Sequence, residues 1–196
     1  MGVIDPLDGY VHGPAAAVAA TGLALAKVVD PAAMILVEGI SDQIAVEALA
    51  ARRGRDLVEE RIAVVPIGGA QAIARFRRDH PGVAVALCDA AEQEWFLRVL
   101  APADVFTCTP DLEGELIRAV GVDAIRAILD EQGDLRRFTT LQKQAAWNDQ
   151  PAEAQLRRFF GAGARRKLRY ARLLVDAAVD VDRVPAPLDG VLGAVG

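Results

Sequence analysis

At 196 residues, 53% of them hydrophobic and 25% charged, the chain has the makings of one α/β domain with its own core and a small helical addition. That excludes a disordered chain, and the length argues against two large domains. The formal charge of −5 excludes a general attraction to nucleic acid, so any such binding must come from a local basic patch.

From the start, Met1 to Pro14 carries Asp5 and Asp8 but no Lys or Arg, unlike a secretory leader. Pro14 to Val29 predicts a helix, closed by Pro31. It is Ala-rich, interrupted by Gly22 and Lys27, and shorter than the roughly 20 residues a bilayer requires. Met34 to Val37 is a continuous apolar run, the mark of a strand buried on both faces, and it stops at Glu38-Gly39. A helix follows, with Ser41 as expected N-cap, Asp42 in the first turn, and Ile44, Val46, Leu49 and Ala50 at helical spacing up to Gly54.

The pattern repeats: strand Ile62 to Ile67, turn Gly68-Gly69, helix Ala70 to Arg78, strand Val83 to Cys88 with Asp89 at its end, helix Glu92 to Leu100. A fourth strand, Val105 to Thr107, precedes a helix from Leu112 to Val120. Such alternation predicts a parallel sheet covered on both faces, with its ligand crevice beyond the carboxyl ends of the strands. From Val122 onward helices are expected at Val122 to Gln132, Ala152 to Phe160 and Ala164 to Ala178, and the last dozen residues, with Pro185 and Pro187, as a loosely packed tail. The expected organisation is an N-terminal helical segment (1–32), an α/β core (33–120) and a C-terminal helical extension (121–196).

Three carboxylates fall where the crevice belongs: Glu38 after the first strand, Asp42 in the next helix and Asp89 after the third strand. Neighbouring parallel strands lie about 4.8 Å apart, so acids leaving adjacent strand ends can converge on one cation. Uncompensated, they would raise each other's pKa, whereas Mg²⁺ or Mn²⁺ prefers such hard oxygen ligands. The alternative is that each acid simply caps the helix after its strand.

The runs Ile35-Leu36-Val37-Glu38-Gly39-Ile40-Ser41-Asp42, Val64-Val65-Pro66-Ile67-Gly68-Gly69 and Ala86-Leu87-Cys88-Asp89 closely resemble a Toprim domain, a Rossmann-like fold. The form is that of the OLD (overcoming lysogenization defect) family of nucleases, and the resemblance covers about residues 33 to 120. In that family the domain is a metal-dependent DNA endonuclease, normally attached to an ABC-type ATPase. The resemblance implies that Glu38 and Asp42 bind metal, that Asp89 is the first acid of a D-x-D pair, and that Glu113 belongs to a later acidic motif. It also leaves Glu38 open as a general acid or base. Two metals about 4 Å apart would flank the scissile phosphate.

Position 91, where the second Asp of that pair belongs, is Ala91; Glu92 or Glu94 would have to rebuild the site. A Walker A motif is absent, so the domain is expected to stand alone, with any ATPase on a separate protein. Two readings therefore stay open: a nuclease or related phosphotransfer protein acting on DNA, and a catalytically degenerate module that binds metal or nucleic acid and a partner protein.

The segment from Arg157 to Arg172 holds seven cations and no acid. Either Arg165, Arg166, Lys167 and Arg169 grip a nucleic-acid backbone, or the segment is a solvated face or salt-bridged to the acidic core. Lys167 loosely matches a lysine that assists phosphate charge stabilisation in OLD-type domains.

Gly68-Gly69 reads either as a phosphate-approaching loop or as a tight turn, His12 and His80 as surface residues, and Trp95 and Trp147 as fillers between helices. With no other histidine, a Ser-His-Asp or Cys-His arrangement has no support. Cys88 and Cys108 lack zinc-site or disulfide spacing and are expected as buried free thiols in the cytoplasm.

Overall fold

The computed structural model describes Tyr10 and residues 16–196; His12 and the expected helix start at Pro14 lie outside the described residues. The four apolar runs form one parallel sheet of β1 (Ala33–Val37), β2 (Ile62–Pro66), β3 (Ala84–Asp89) and β4 (Val105–Cys108), ordered β2-β1-β3-β4. In register, Val37 lies opposite Pro66 on one side and Leu87 on the other. The chain steps from β1 to β2 in one direction and continues from β1's other side with β3. β1 and β3 thus flank a topological switch point, where open α/β sheets form their crevice.

Side chains alternate across each strand, so the two faces collect different helices. Met34 and Leu36 face α1 (Ala16–Lys27), α3 (Ile73–Asp79) and α4 (Gln93–Leu97), whose Ala24, Ile73, Phe76 and Phe96 close one core layer. Ile35 and Val37 face α2 (Ile40–Arg52) and α5 (Leu112–Val120). That second layer continues into the C-terminal helices α6 (Val122–Glu131), α7 (Leu135–Gln142), α8 (Ala152–Gly161), α9 (Ala164–Asp180) and α10 (Ala186–Gly193). α9 lies along α2 and α5, and α10 sits on β4 and β3. No described helix is long and apolar enough to cross a membrane.

Several local expectations need correction. The N-cap of α2 is Gly39 rather than Ser41, because Asp42 reaches back to accept the Gly39 N–H at 3.0 Å and Ser41 is buried in the first turn. A 3-10 turn at Ala70–Ala72 delays α3. The tail is not loose: Leu188, Val191 and Leu192 of α10 are buried. α7 was not expected as a helix at all.

Candidate metal and phosphate site

Glu38 leaves the end of β1 and Asp89 the end of β3. Glu38 Oε1 accepts the backbone N–H of Asp89 at 3.0 Å, and Asp89 Oδ1 accepts the N–H of Leu112, at the start of α5, at 3.3 Å. The two carboxylates are thereby fixed by backbone groups of two elements, β3 and α5. Gly68 and Gly69, with φ of 76° and 108°, make the turn after β2, and the Gly69 N–H donates to the Glu38 carbonyl at 3.1 Å. This pair therefore serves as a tight turn that braces the Glu38 backbone, since side chains rarely adopt those angles.

Asp42 stands in the first turn of α2, Glu113 in the first turn of α5, and Lys167 in the first turn of α9. Lys167 Nζ pairs with Glu113 Oε1 at 2.8 Å, and Ser41, Asp42, Glu113, Lys167 and Tyr170 line one narrow crevice. Burial, followed by its acidic neighbours Asp42, Glu38, Asp111 and Glu113, pushes the Asp89 carboxyl up to about 7. Burial and the nearby Glu113 and Glu38 push Asp42 up to about 7 despite the opposing Lys167 ammonium and the Gly39 N–H. Glu38 is raised by burial and by Glu92, against the Asp89 N–H and Lys167. Burial works against the Lys167 charge, but Glu113, Asp42 and Asp89 outweigh it and hold its pKa above the usual lysine value. One cation is thus set among four carboxylates, and the excess is negative.

That donor chemistry fits a hard divalent cation. Among the described residues, Glu38 Oε2, Asp42 Oδ1 and Asp89 Oδ2 accept no hydrogen bond, leaving one oxygen of each carboxylate available. Among the described residues, no three His, Cys, Asp or Glu side chains are gathered into a preformed metal cage.

Residues 32–79 match the family model described as "Overcoming lysogenization defect protein-like, TOPRIM domain", a stretch that contains Glu38 and Asp42. Over that stretch the chain resembles a Toprim domain of the OLD type, and its α/β fold is Toprim-like. The C-terminal region of the Burkholderia pseudomallei OLD protein superposes with a TM-score of 0.61 at 18% identity, covering 85% of this chain and 98% of that one. The C-terminal region of the Xanthomonas campestris pv. campestris OLD protein gives a TM-score of 0.60 at 25% identity, covering 86% of this chain and 96% of that one. No curated protein matches the sequence.

Within this Toprim-like fold, Ala91 is exposed on the turn after β3, where it offers no carboxylate. Glu92 is close enough to raise the Glu38 pKa, whereas Glu94, with its side chain 89% exposed, turns outward to Arg98. Asp111 caps α5 through a 2.8 Å bond from the Gly114 N–H and binds Arg157 Nε at 2.6 Å.

The cations of the basic segment point to different partners. Arg166 lies 4.0 Å from the Phe159 ring centroid and donates to the Phe159 carbonyl, Arg169 binds the buried Asp134, and Lys167 enters the acidic site. Arg165 is exposed. Arg157 and Lys167 thus tie α8 and α9 to the acidic start of α5. Asp134, 1% exposed and bound by Arg137, Arg169 and Tyr170, carries no local signal in the sequence, where nothing distinguishes it from a helix-capping acid after Gly133.

Proposed function

We propose that this domain is a divalent-metal-dependent nuclease or related phosphotransfer protein acting on DNA phosphodiesters. The observation that carries the reading is the backbone-linked pair Glu38 and Asp89 at the ends of adjacent strands, with Asp42, Glu113 and Lys167 beside it. Glu38, Asp42 and Asp89 would hold Mg²⁺ or Mn²⁺, with Glu92 and Glu113 as further oxygen donors. The metal would supply Lewis-acid stabilisation of a phosphoryl oxygen and lower the pKa of an attacking water.

The chain's own groups do the rest. The buried carboxylates exclude competing anions until a cation offsets them, and Glu38, its pKa raised by burial, holds a proton more readily than an ordinary carboxylate, as a general acid or base requires. Lys167, held cationic by Glu113 and Asp42, is placed to stabilise charge on a phosphate entering the crevice. An ABC-type ATPase is the partner this reading expects.

Ala91 favours the second reading, a degenerate module that retains metal or nucleic-acid affinity without cleavage. Incubation with supercoiled plasmid and with single-stranded DNA, in Mn²⁺, Mg²⁺ or EDTA, separates the two. Metal-dependent cleavage lost in Glu38→Ala and Asp89→Ala supports the nuclease. Metal binding through those acids with no cleavage supports the degenerate module.

A further inference from the structure

Between the end of α7 and the start of α8, Trp147 borders a cleft of about 520 Å³ that is also lined by Asp111, Glu113, Arg157, Arg158 and Lys167. Glu113 and Lys167 belong to the acidic site as well, so the cleft opens directly from it. Its volume lies within the usual range for a small-ligand site.

Trp147 behaves unlike a packing residue. Trp95 packs against the α3/α4 core layer, but Trp147 joins none of the hydrophobic clusters of the described residues. Its ring is faced by the Arg158 guanidinium, 6.0 Å from the centroid. Arg158 is exposed and makes no ion pair among the described residues.

The backbone beneath the indole is fixed. Gln142 Nε2 donates to Gln155 Oε1 at 2.6 Å, and Gln155 Nε2 donates to the Trp147 carbonyl at 2.7 Å. Gln155 is 5% exposed, so its buried amide holds the loop that presents a partly buried indole. Arg157 is in turn oriented along the cleft by Asp111.

We propose that this cleft holds an unpaired nucleotide of a single-stranded nucleic acid, its base stacked on Trp147 and its flanking phosphates on Arg157 and Arg158. The inference rests on the nucleic-acid reading above and extends it by naming the strand state. An indole face can be covered by a base only when that base is out of a duplex stack, and such stacking tolerates any base. Guanidinium groups beside it supply the phosphate contacts. A strand held there passes next to Lys167 and the carboxylates.

Trp147 and Trp95 are the two tryptophans of the chain, so Trp95→Phe leaves Trp147 as the sole indole reporter. In EDTA, which prevents metal-dependent cleavage, oligothymidylate is expected to quench the Trp147 emission saturably, and its duplex with oligoadenylate to quench it far less. Trp147→Ala should weaken oligothymidylate binding, read by polarisation of a labelled strand, by about tenfold, and Trp147→Phe by less. Arg158→Ala, on an exposed helix position, should weaken binding and lower its salt dependence. Absence of binding, binding without quenching, or wild-type affinity in Trp147→Ala overturns the proposal. Quenching retained in a protein that fails to nick plasmid counts against the nuclease reading alone and leaves the cleft standing.

Discussion

Glu38 Oε1 accepts the backbone N–H of Asp89 across the gap between β1 and β3, at 3.0 Å. The first carboxylate is thereby anchored to the second residue's backbone, and its charge and its structural role can be separated. Glu38→Gln keeps an acceptor for that N–H and removes the charge. It should hold wild-type stability within about 0.5 kcal/mol and lose metal-dependent nicking. Glu38→Ala should also lose nicking and, with the N–H unpaired, cost about 1 kcal/mol in urea denaturation. Wild-type nicking by Glu38→Gln would remove Glu38 from the metal site.

Burial and crowding push Asp42 and Asp89 up to about 7, while an unfolded aspartate titrates near about 4. Between those values the folded chain binds more protons than the unfolded one, so these groups make stability fall as pH rises from about 4 to about 7 and then level off. In EDTA the urea midpoint should decline across that window, and Asp42→Asn with Asp89→Asn should flatten the decline. Adding Mn²⁺ above about pH 7 should restore stability and, near pH 7, release protons. A wild-type midpoint that does not move would refute the coupling.

Lys167 sits between Glu113 and Asp42, and its ammonium is the cation facing the buried acids from α9. If it offsets charge on the reacting phosphate, Lys167→Met should cut the nicking rate by about 100-fold while changing oligonucleotide affinity little. Lys167→Arg should recover part of that loss. A Lys167→Met variant that nicks normally but melts at a lower temperature would make the residue a structural tie between α9 and α5.

How much of this was legible in the sequence follows from where each signal is local. The strands were readable because Ile35-Leu36-Val37 and Ala86-Leu87-Cys88 are unbroken apolar runs that stop at an acid, and a strand buried on both faces has no other way to look. Glu38, Asp42 and Asp89 came with them. The partner of Glu113 could not be read locally, since Lys167 lies on a helix far along the chain and only tertiary packing brings it to α5. α7 buries Phe138 alone as a large side chain and carries Thr139 and Thr140, so its helical signal was weak. α10 contains Pro187, Gly190 and Gly193, which locally argue against a helix, and its buried face overrides them.

Asp134 shows a long-range tie of another kind. Its carboxylate, 1% exposed, takes the Tyr170 hydroxyl at 3.0 Å along with Arg137 and Arg169. Burial opposes its charge, but Arg137, Tyr170 and Arg169 more than offset this and hold its pKa below the usual value. Its stabilising contribution is therefore present above about pH 4 and lost as pH falls through the lowered folded pKa. Asp134→Ala leaves the Tyr170 hydroxyl buried without its acceptor and should cost about 2–3 kcal/mol in denaturant melts. A smaller loss than about 0.5 kcal/mol would mean that water replaces the carboxylate.

Gly190 tests whether α10 belongs to the core. A Cβ at this position would lie 2.7 Å from the Phe106 ring of β4, a distance carbon atoms do not tolerate. The bare glycine is what lets α10 approach the sheet and bury Leu188, Val191 and Leu192. Gly190→Ala therefore has to push the helix or the ring away, even though alanine is the better helix former. The expected cost is about 1–3 kcal/mol from overpacking, against at most about 1 kcal/mol of gained helix propensity. Phe106→Leu in the same chain should recover part of the loss by vacating the ring's volume. Were Gly190→Ala instead stabilising, α10 would have to be a peripheral helix held by its own propensity.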